Sequence, residues 1–442
     1  MLLGILNAQA SGGAFSYWLA TLGGAGYEVG RGSSTDTDGN FYAFGQTSSQ
    51  GAGSIDFLLA KYDALGAVQW QRVLGGTGGD SDGSLAIDSA DNLYLVGETA
   101  SDGEGSDDFL IAKYNSSGTI QWQRVLGGAS IERATGIAID SSDNLLVVGH
   151  SYSAGAGDFD VLLAKYNSSG TIQWQRTLGG TGTERGNALA IDSADNVYVF
   201  GETASSGEGQ EDFLIAKYNS AGTLQWQRTL GGSSGEDGFG IAFDSDDNLY
   251  VTGRTSSQGV AFDDLFLAKF NSSGTVQWQR VLGGSQSDTG NSVAVDSSNN
   301  VYVLGTTTST GEGSDDYLLA KYNSTGVIQY QRVIGGTGAE FGNSIVIDSS
   351  DTMYLVGVTQ STGEGNSSLL IAKLPSDGSL TGTYELDGVN IVYAASTLTG
   401  ATATLTAATS SLTAATSSLT SSTSTLTSAT STLTSHFVEI PA

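Results

Sequence analysis

The sequence predicts an all-β fold, a seven-bladed β-propeller of 52-residue, four-stranded repeats, and two observations predict it. In the first, one aromatic residue recurs every 52 positions, followed four residues later by Leu-Gly-Gly or Ile-Gly-Gly: Trp18, Trp70, Trp122, Trp174, Trp226, Trp278 and Tyr330. In the second, each repeat holds four short apolar runs separated by turn residues. A period of about 50 with four strand-like runs is typical of propeller blades, whereas helical repeats show a 3.6-residue pattern.

Three further columns keep the same register, which makes seven repeats in one large domain. They are Lys61, Lys113, Lys165, Lys217, Lys269, Lys321 and Lys373; Asp36, Asp88, Asp140, Asp192, Asp244, Asp296 and Asp348; and Gly45, Gly97, Gly149, Gly201, Gly253, Gly305 and Gly357. We therefore expect an N-terminal peptide at 1–14, the propeller at 15–382 and a C-terminal segment at 383–442.

The second repeat illustrates the expected elements. Its strands are predicted at 84–88, 93–99, 109–114 and 119–126, with a polar turn at 88–92 and a hairpin at 115–118 that contains Gly118. The second and third strands are apolar on both faces, which fits sheets that are stacked against neighbours on either side.

The two ends of the chain are expected to complete one blade together. Residues 1–14 include a short apolar run without a basic start, which we interpret as an uncleaved anchoring peptide. Trp18 follows in a strand with no partners before it, and the repeat that contains Lys373 lacks its fourth strand. Pairing of these two strands would close the ring and remove exposed sheet edges.

From Tyr384 onward the composition shifts to Ser, Thr and Ala, with leucines seven residues apart: Leu398, Leu405, Leu412, Leu419, Leu426 and Leu433. A seven-residue period puts these leucines on one seam of a helix, so we expect a coiled-coil oligomerisation stalk, with a trimer favoured. Ser and Thr are poor helix formers, which argues against this interpretation.

Charge and composition exclude several classes of function. The net charge is −29, and Lys and Arg recur at fixed positions where we expect them to pair with the acidic columns, which leaves an acidic surface that repels nucleic acid. Cysteine is absent, so disulfides and thiolate metal sites are excluded. No apolar run approaches the ~20 residues that a membrane span needs.

The repeats resemble the SBBP-type β-propeller repeats of bacteria and viruses, which combine a Gly-Gly turn and an Asp-rich turn with a "YVTG-T-S" strand. That strand reads Tyr-Leu-Val-Gly-Glu-Thr from Tyr94, Tyr-Val-Thr-Gly-Arg-Thr from Tyr250 and Tyr-Val-Leu-Gly-Thr-Thr from Tyr302. The resemblance covers roughly residues 15 to 375. It implies the fold and says little about function, since propellers host many activities.

The sequence offers little catalytic chemistry, so we expect no enzymatic activity. His150 and His436 are single departures from the repeat, and no nucleophile elbow, phosphate-binding loop or zinc spacing is present. No cofactor is expected. Calcium is the one ion considered, at the turns that begin at Asp36 and Asp244, but the more favoured interpretation is a hairpin turn whose carboxylate binds backbone N–H groups.

The loops between second and third strands vary most between repeats, so they are the best candidates for a recognition surface. The candidate residues are Glu104, Asp107, Asp108, Glu208, Glu312 and Phe262. The Asn-Ser-Ser and Asn-Ser-Thr sequons, such as the one at Asn115, recur at one place in the repeat, which favours a turn over a glycosylation site.

These features lead to a structural function as the first hypothesis: a bacteriophage virion protein, such as a tail fibre, spike or capsid-surface fibre, that presents the propeller for host attachment. Its partners would be other copies of itself, other virion proteins through either terminal segment, and a host-surface glycan or protein. The alternatives are a secreted or cell-surface bacterial adhesion or scaffold protein and, third, an enzyme that acts on surface glycans.

Overall fold

The protein is an all-β, seven-bladed propeller, as the sequence predicted. The computed structural model describes residues 17–260, 262–409, 413–415, 420–422, 427–430 and 433–440. The expected peptide at 1–14 and three of the tail leucines, Leu412, Leu419 and Leu426, lie outside the described residues. No helix in the described part of the chain has the length and apolar character needed to cross a lipid bilayer.

Each blade is a four-stranded antiparallel meander, numbered here from the innermost strand outward. The first strand of the chain is β1 (Tyr17–Gly23). Blade 1 follows with β2 (Glu28–Thr35), β3 (Phe41–Thr47), β4 (Asp56–Tyr62) and β5 (Val68–Gly75). Blade 2 has β6 (Asp80–Ile87), β7 (Leu93–Thr99), β8 (Asp108–Tyr114) and β9 (Ile120–Gly127). Blade 3 has β10 (Glu132–Ile139), β11 (Leu145–Ser151), β12 (Asp160–Tyr166) and β13 (Ile172–Gly179).

Blade 4 has β14 (Glu184–Ile191), β15 (Val197–Thr203), β16 (Asp212–Tyr218) and β17 (Leu224–Gly231). Blade 5 has β18 (Glu236–Phe243), β19 (Leu249–Thr255), β20 (Asp264–Phe270) and β21 (Val276–Gly283). Blade 6 has β22 (Asp288–Val295), β23 (Val301–Thr307), β24 (Asp316–Tyr322) and β25 (Ile328–Gly335). Blade 7 has β26 (Glu340–Ile347), β27 (Thr352–Thr359) and β28 (Ser368–Pro375), followed in space by β1.

The innermost strands contact one another around a central axis, and β2 contacts β26, so the ring is continuous. In blade 7, β1 pairs antiparallel with β28, with Trp18 opposite Lys373. The innermost strand of the second repeat begins at Asp80, four residues before the predicted start. It begins with a polar residue because the buried Asp80 carboxylate accepts hydrogen bonds from the backbone of Gly76 and the hydroxyl of Ser101, so an apolar pattern underestimates the length of the strand.

The blades pack face to face through apolar side chains of their second and third strands. Tyr42, Tyr94, Tyr198, Tyr250 and Tyr302 of one column are fully buried between blades. Steric contact explains the glycine column in the second strand. A Cβ on Gly149 would lie 1.9 Å from the carbonyl oxygen of Arg133 on the innermost strand, so no larger residue fits there. The bulge between Ala134 and Gly136 lies directly beside this close approach.

The polar columns make contacts within a blade and between neighbouring blades. The Asp140 carboxylate accepts hydrogen bonds from the backbone of Ser142 and Asn144, and Lys165 pairs with it at 2.7 Å. Six of the seven lysines pair with the aspartate column in this way, as expected, and Lys373 donates instead to the carbonyl of Ala64. The arginines differ from the expectation: Arg124 stacks on Trp122, and its Nε donates to the carbonyl of Gly170 in the next blade.

The C-terminal segment is a belt of short strands, and the predicted coiled coil is wrong for the described residues. The belt consists of β29 (Gly382–Leu386), β30 (Val389–Ala395), β31 (Thr399–Thr402), β32 (Thr406–Thr409), β33 (Thr413–Ala415), β34 (Thr420–Ser422), β35 (Thr427–Thr430) and β36 (Thr434–Ile440). Strands β30 to β35 pair with the outermost strands of blades 6, 5, 4, 3, 2 and 1 in turn, and β36 pairs with β1.

The seven-residue period matches one step from blade to blade. Seven extended residues span about 23 Å, a distance suited to the outer circumference of a ring. Leu398, Leu405 and Leu433 are buried in the apolar clusters between neighbouring blades. The leucines thus recur every seven residues because the blades do, and the described ones fill junctions of the ring instead of a helical seam.

Candidate functional site

The two ends of the ring differ in how strictly they repeat. One end, here called the turn face, carries the hairpins between strands one and two and between strands three and four. Its Asx turns follow the repeat: Asp143 has φ 58° and accepts hydrogen bonds from the backbone N and the hydroxyl of Ser89 in the preceding blade. The other end, the loop face, carries the loops between strands two and three and the links between blades, and there the blades differ.

The basic residues reveal the same asymmetry. Of the 17 lysines and arginines, 13 belong to the two repeated columns, and four arginines stand outside them: Arg31, Arg133, Arg185 and Arg254. Arg31 lies in the wall of the channel along the ring axis. The other three lie at the loop-face ends of first or second strands. We call the region formed by these arginines and their acidic partners the axial mouth.

Each of these arginines pairs with a carboxylate that likewise lies outside the acidic positions shared by all seven blades. Arg31 pairs with Asp82 at 2.6 Å, and Arg133 with Glu98 at 3.0 Å. Arg185 pairs with Glu202 at 2.7 Å. Arg254 contacts both Asp237 and Asp263. These pairs run from blade 1 to blade 5 and two of them cross a blade boundary, so they form one network around part of the axis.

The Glu202 carboxylate is the most buried member of this network. Burial, followed by repulsion from the nearby carboxylate of Asp237, raises the pKa of Glu202 to about 7. Asn187 donates to the same carboxylate at 3.3 Å. Burial and the neighbouring carboxylate therefore favour the protonated form of Glu202 more than is usual for a glutamate.

An aromatic cluster lies between blades 3 and 4. Phe159 packs edge-on against His150 and Tyr152, with ring centroids 5.0 and 5.4 Å apart, and the guanidinium of Arg185 is 5.9 Å from its centroid. Tyr152 is 50% exposed. Burial, with the charges of Arg185 and Arg133, lowers the pKa of His150 to about 3, so its imidazole is neutral and acts here as a packing residue.

The remaining blades lack this charge. At the paired positions where blade 4 has Arg185 and Glu202, blade 6 has Thr289 and Thr306, and blade 7 has Phe341 and Val358. With the aromatic cluster of blade 3 included, the axial mouth is thus charged over blades 1 to 5 and has uncharged residues at these paired positions in blades 6 and 7. A ligand there would meet one particular side of the ring.

The axial channel itself is narrow, and the asparagine side chains in its lining are hydrogen-bonded to neighbouring blades. Its volume is about 190 Å³, and its lining includes Asn187, Asn291 and Asn343. Each of these amides donates to a glycine carbonyl of the next blade at 2.7 to 2.8 Å. These side chains join the blades at the axis, so the mouth is better suited than the channel to hold a ligand of more than a few atoms.

The residues predicted for recognition lie in loops of the same face. Glu104, Glu208 and Glu312 are exposed at the tips of the loops in blades 2, 4 and 6, and Phe262 is 69% exposed in blade 5. Asp107 is half-buried. Asp108 is 1% exposed and faces inward, because it accepts hydrogen bonds from the backbone of its own loop and of the link to the next blade.

The turns considered for calcium are occupied by protein donors. Asp244 accepts from the backbone N–H groups of Asp246 and Asn248, and Lys269 pairs with it at 3.1 Å. No group of three or more histidine, aspartate or glutamate side chains within the described ranges is placed to hold a metal ion. The sequon at Asn115 forms a turn, with its side-chain oxygen accepting from the backbone of Ser117 and Thr119.

The sequence carried a signal for the mouth that column-by-column reasoning passed over. His150 departs from the repeat, and so do the four arginines outside the columns. In a repeat protein the residues shared by all repeats build the scaffold, so charged residues outside these shared columns mark positions with another role.

Comparison with known proteins supports the repeat type. Residues 225–263 and 277–311 match the SBBP beta-propeller repeat, so the chain carries SBBP repeats within its seven blades. The chain is 28% identical over 167 residues to the regulatory protein FlaEY of Caulobacter vibrioides, a match covering 32% of this chain and 18% of that protein.

A second relative matches over a longer stretch. An uncharacterised WD repeat-containing protein of Acanthamoeba polyphaga mimivirus is 20% identical over 435 residues, which covers 69% of this chain and 31% of that protein. This chain thus spans less than a third of the length of either relative.

The expectation that the chain is not an enzyme needs correction. A structure of catalytically inactive virginiamycin B lyase from Staphylococcus aureus, with quinupristin, matches with a TM-score of 0.51 at 11% identity, covering 81% of this chain and 99% of that one. At this identity the likeness shows the fold alone, but the fold is one that enzymes use. A rigid propeller is therefore no ground for excluding catalysis.

Proposed function

We propose that this chain is a recognition propeller whose axial mouth binds a receptor on a cell surface, and that it serves as a bacteriophage virion component such as a tail fibre, spike or capsid-surface fibre. The observation that carries the proposal is the concentration of blade-specific charged and aromatic residues at one mouth of an otherwise repetitive ring. The repeated lysines and arginines have partners within their own or the next blade, whereas the arginine side chains of the mouth keep 36 to 48% of their surface exposed.

The rest of the molecule suits a display role. The belt adds a fifth strand to most blades and closes the outer circumference, so the mouth is held on a stiff support. Attachment to a particle would use a terminal segment. The trimer stays a prediction, and its original reason is weaker, since the described leucines of the tail are buried against the blades.

The proposal is tested by cell adsorption of the purified chain. Arg133→Ala and Tyr152→Ala, two partly exposed mouth residues, should each lower adsorption to receptor-bearing bacteria about tenfold or more, the loss of roughly 1.4 kcal/mol or more of binding energy. The matched control is Leu65→Ala, since Leu65 is 67% exposed on the turn face. Thermal unfolding of each variant checks that the ring is intact.

Two outcomes would count against the proposal. If the mouth variants adsorb as the unaltered chain does while Leu65→Ala loses adsorption, the turn face is the binding surface. If mass spectrometry of purified phage particles whose genome encodes this chain finds none of it, the virion role is excluded.

A further inference from the structure

We infer that the axial mouth binds a neutral, polyhydroxylated glycan segment, laid against Tyr152 and Phe159 and hydrogen-bonded by the arginine–carboxylate pairs beside them. This inference rests on the proposed recognition function and specifies the chemistry of its ligand.

Charge balance argues against an ionic ligand. The four arginines of the mouth are matched by five carboxylates within 3.3 Å of them: Asp82, Glu98, Glu202, Asp237 and Asp263. A polyanion would meet more carboxylates than guanidinium groups at the mouth, within a molecule whose net charge is −29. A cation would gain little at the mouth, because each of these carboxylates is already paired with a guanidinium group.

The pairs keep hydrogen-bonding capacity for an uncharged ligand. A guanidinium has five N–H donors, and Arg185 uses one of them on Glu202. Carboxylates retain acceptor sites when they accept one or two bonds. A sugar hydroxyl both donates and accepts, so adjacent hydroxyls can satisfy a guanidinium and a carboxylate held side by side, which a purely donating or purely accepting ligand cannot do.

Aromatic rings supply the apolar part of the site. Tyr152 is half-exposed and Phe159 is partly buried, and their edge-on packing fixes the orientation of the exposed ring. Sugars present apolar C–H groups on one side of the ring, and a fixed aromatic surface can cover them at a small entropy cost. Phe262 in blade 5 is a second exposed aromatic on the same face, suited to a further unit of an extended chain.

The test is direct binding of the full chain to glycans of matched backbone. Immobilised galactan, glucan and mannan serve as neutral probes, and galacturonan is the acidic counterpart of galactan. We expect at least one neutral glycan to bind, with an affinity that changes less than about threefold between 50 and 500 mM NaCl, since few ions are released. Tyr152→Ala should lower that affinity at least tenfold, whereas Val327→Ala, an exposed apolar control outside the loop face, should not.

The outcomes separate this inference from the function it rests on. Binding to galacturonan alone, with a steep loss in salt, would overturn the neutral ligand. Binding to no glycan while cell adsorption still depends on Arg133 and Tyr152 would also overturn it, in favour of a protein receptor, and would leave the proposed function standing. If adsorption is indifferent to both residues, the recognition function itself fails.

Discussion

The buried Asp108 carboxylate holds a loop in place, and its burial raises its pKa above the usual value of an aspartate. It lies at the start of β8, and a Cβ on Gly103 or Gly127 would clash with its carboxylate, so the chain wraps closely around it. Burial, with repulsion from Glu132, raises the pKa of Asp108 to about 7. The equivalent Asp160 and Asp212 behave alike, with pKa values raised to about 7 chiefly by burial.

Asp108→Asn should make the protein less sensitive to alkaline pH. Asparagine keeps the shape and one acceptor, carries no charge to bury, and can donate from its amide to Glu132. We expect the drop in unfolding temperature between pH 5 and pH 8 to be smaller than in the unaltered chain, measured by calorimetry. Glu104→Gln, at the exposed tip of the same loop, is the control, and an equal change in both variants would contradict this explanation.

At the level of residues, the sequence predicted the contacts that a side chain makes within its own repeat. The turn role of Asp140 and the pairing of Lys165 with it follow from spacing, because both contacts are local to the blade. The partner of Arg124 could not be found this way. Recurrence shows that a residue has the same role in every repeat, but it does not identify the partner. The partner here is the backbone carbonyl of Gly170, 46 residues later, and every residue has such a carbonyl, so the sequence does not distinguish this one.

At the level of elements, the belt is held to the blades by strand pairing and also by glutamine side chains on the outermost blade strands. The side-chain amide of Gln279 donates to the carbonyl of Leu405 and accepts from its backbone N–H, at 3.0 and 3.1 Å. Gln331 and Gln71, from the same column, donate to the carbonyls of Leu398 and Leu433. Each described leucine is therefore fixed twice, by its buried side chain and by its backbone.

Leu405→Ala should destabilise the propeller without changing its mass in solution. The side chain is 5% exposed in a cluster with Phe266 and Val281, so its loss should cost about 2 to 3 kcal/mol of unfolding free energy. The measurement is denaturant unfolding beside light scattering. Thr406→Ala, exposed in the adjacent position, should cost less than about 0.5 kcal/mol.

The same variant distinguishes a belt from a stalk. If the leucines line a seam between chains, Leu405→Ala would lower the oligomeric mass and leave the unfolding of the propeller unchanged. The heptad predicted a helix because a period of seven has a known helical explanation. The seven-residue period can also arise when a chain advances by one blade of a ring every seven residues. That explanation depends on the radius of the ring, which no local sequence pattern reveals.

At the scale of the whole molecule, blade 7 joins the two ends of the described chain. Strand β1 lies between β28 and β36, so it is covered on both edges. The pairing of β1 with β28 follows from counting strands, since the first repeat has one too many and the last one too few. The covering strand β36 lies outside the repeat, so counting could not predict it.

Whole-molecule stability should peak in mildly acidic solution, because two sets of aspartates shift in opposite directions. Hydrogen bonds from neighbouring asparagines and the ion pairs with lysine overcome burial and lower the pKa of Asp36, Asp88, Asp140, Asp192, Asp244 and Asp296. Their contribution is present above about pH 4, the value of an unfolded aspartate, and is lost as pH falls below it.

The buried loop aspartates act in the other direction. Their folded pKa is about 7 for Asp108, Asp160 and Asp212 and about 6 for Asp316, so the folded state holds protons that the unfolded state has released. Their contribution is complete below about pH 4 and is lost as pH rises toward 7. Taken together, the two sets predict a maximum of stability between about pH 4 and 5.5.

The measurement is the unfolding temperature from pH 3 to 9, repeated in 0.5 M NaCl. Salt screens the mutual repulsion of a surface with net charge −29, so a decline above pH 5 that came only from surface charge would disappear. A decline that comes from buried carboxylates should persist, because groups that are closed off from solvent are screened little. An unfolding temperature that rises steadily from pH 5 to 8 would contradict the buried-aspartate explanation, whatever the salt concentration.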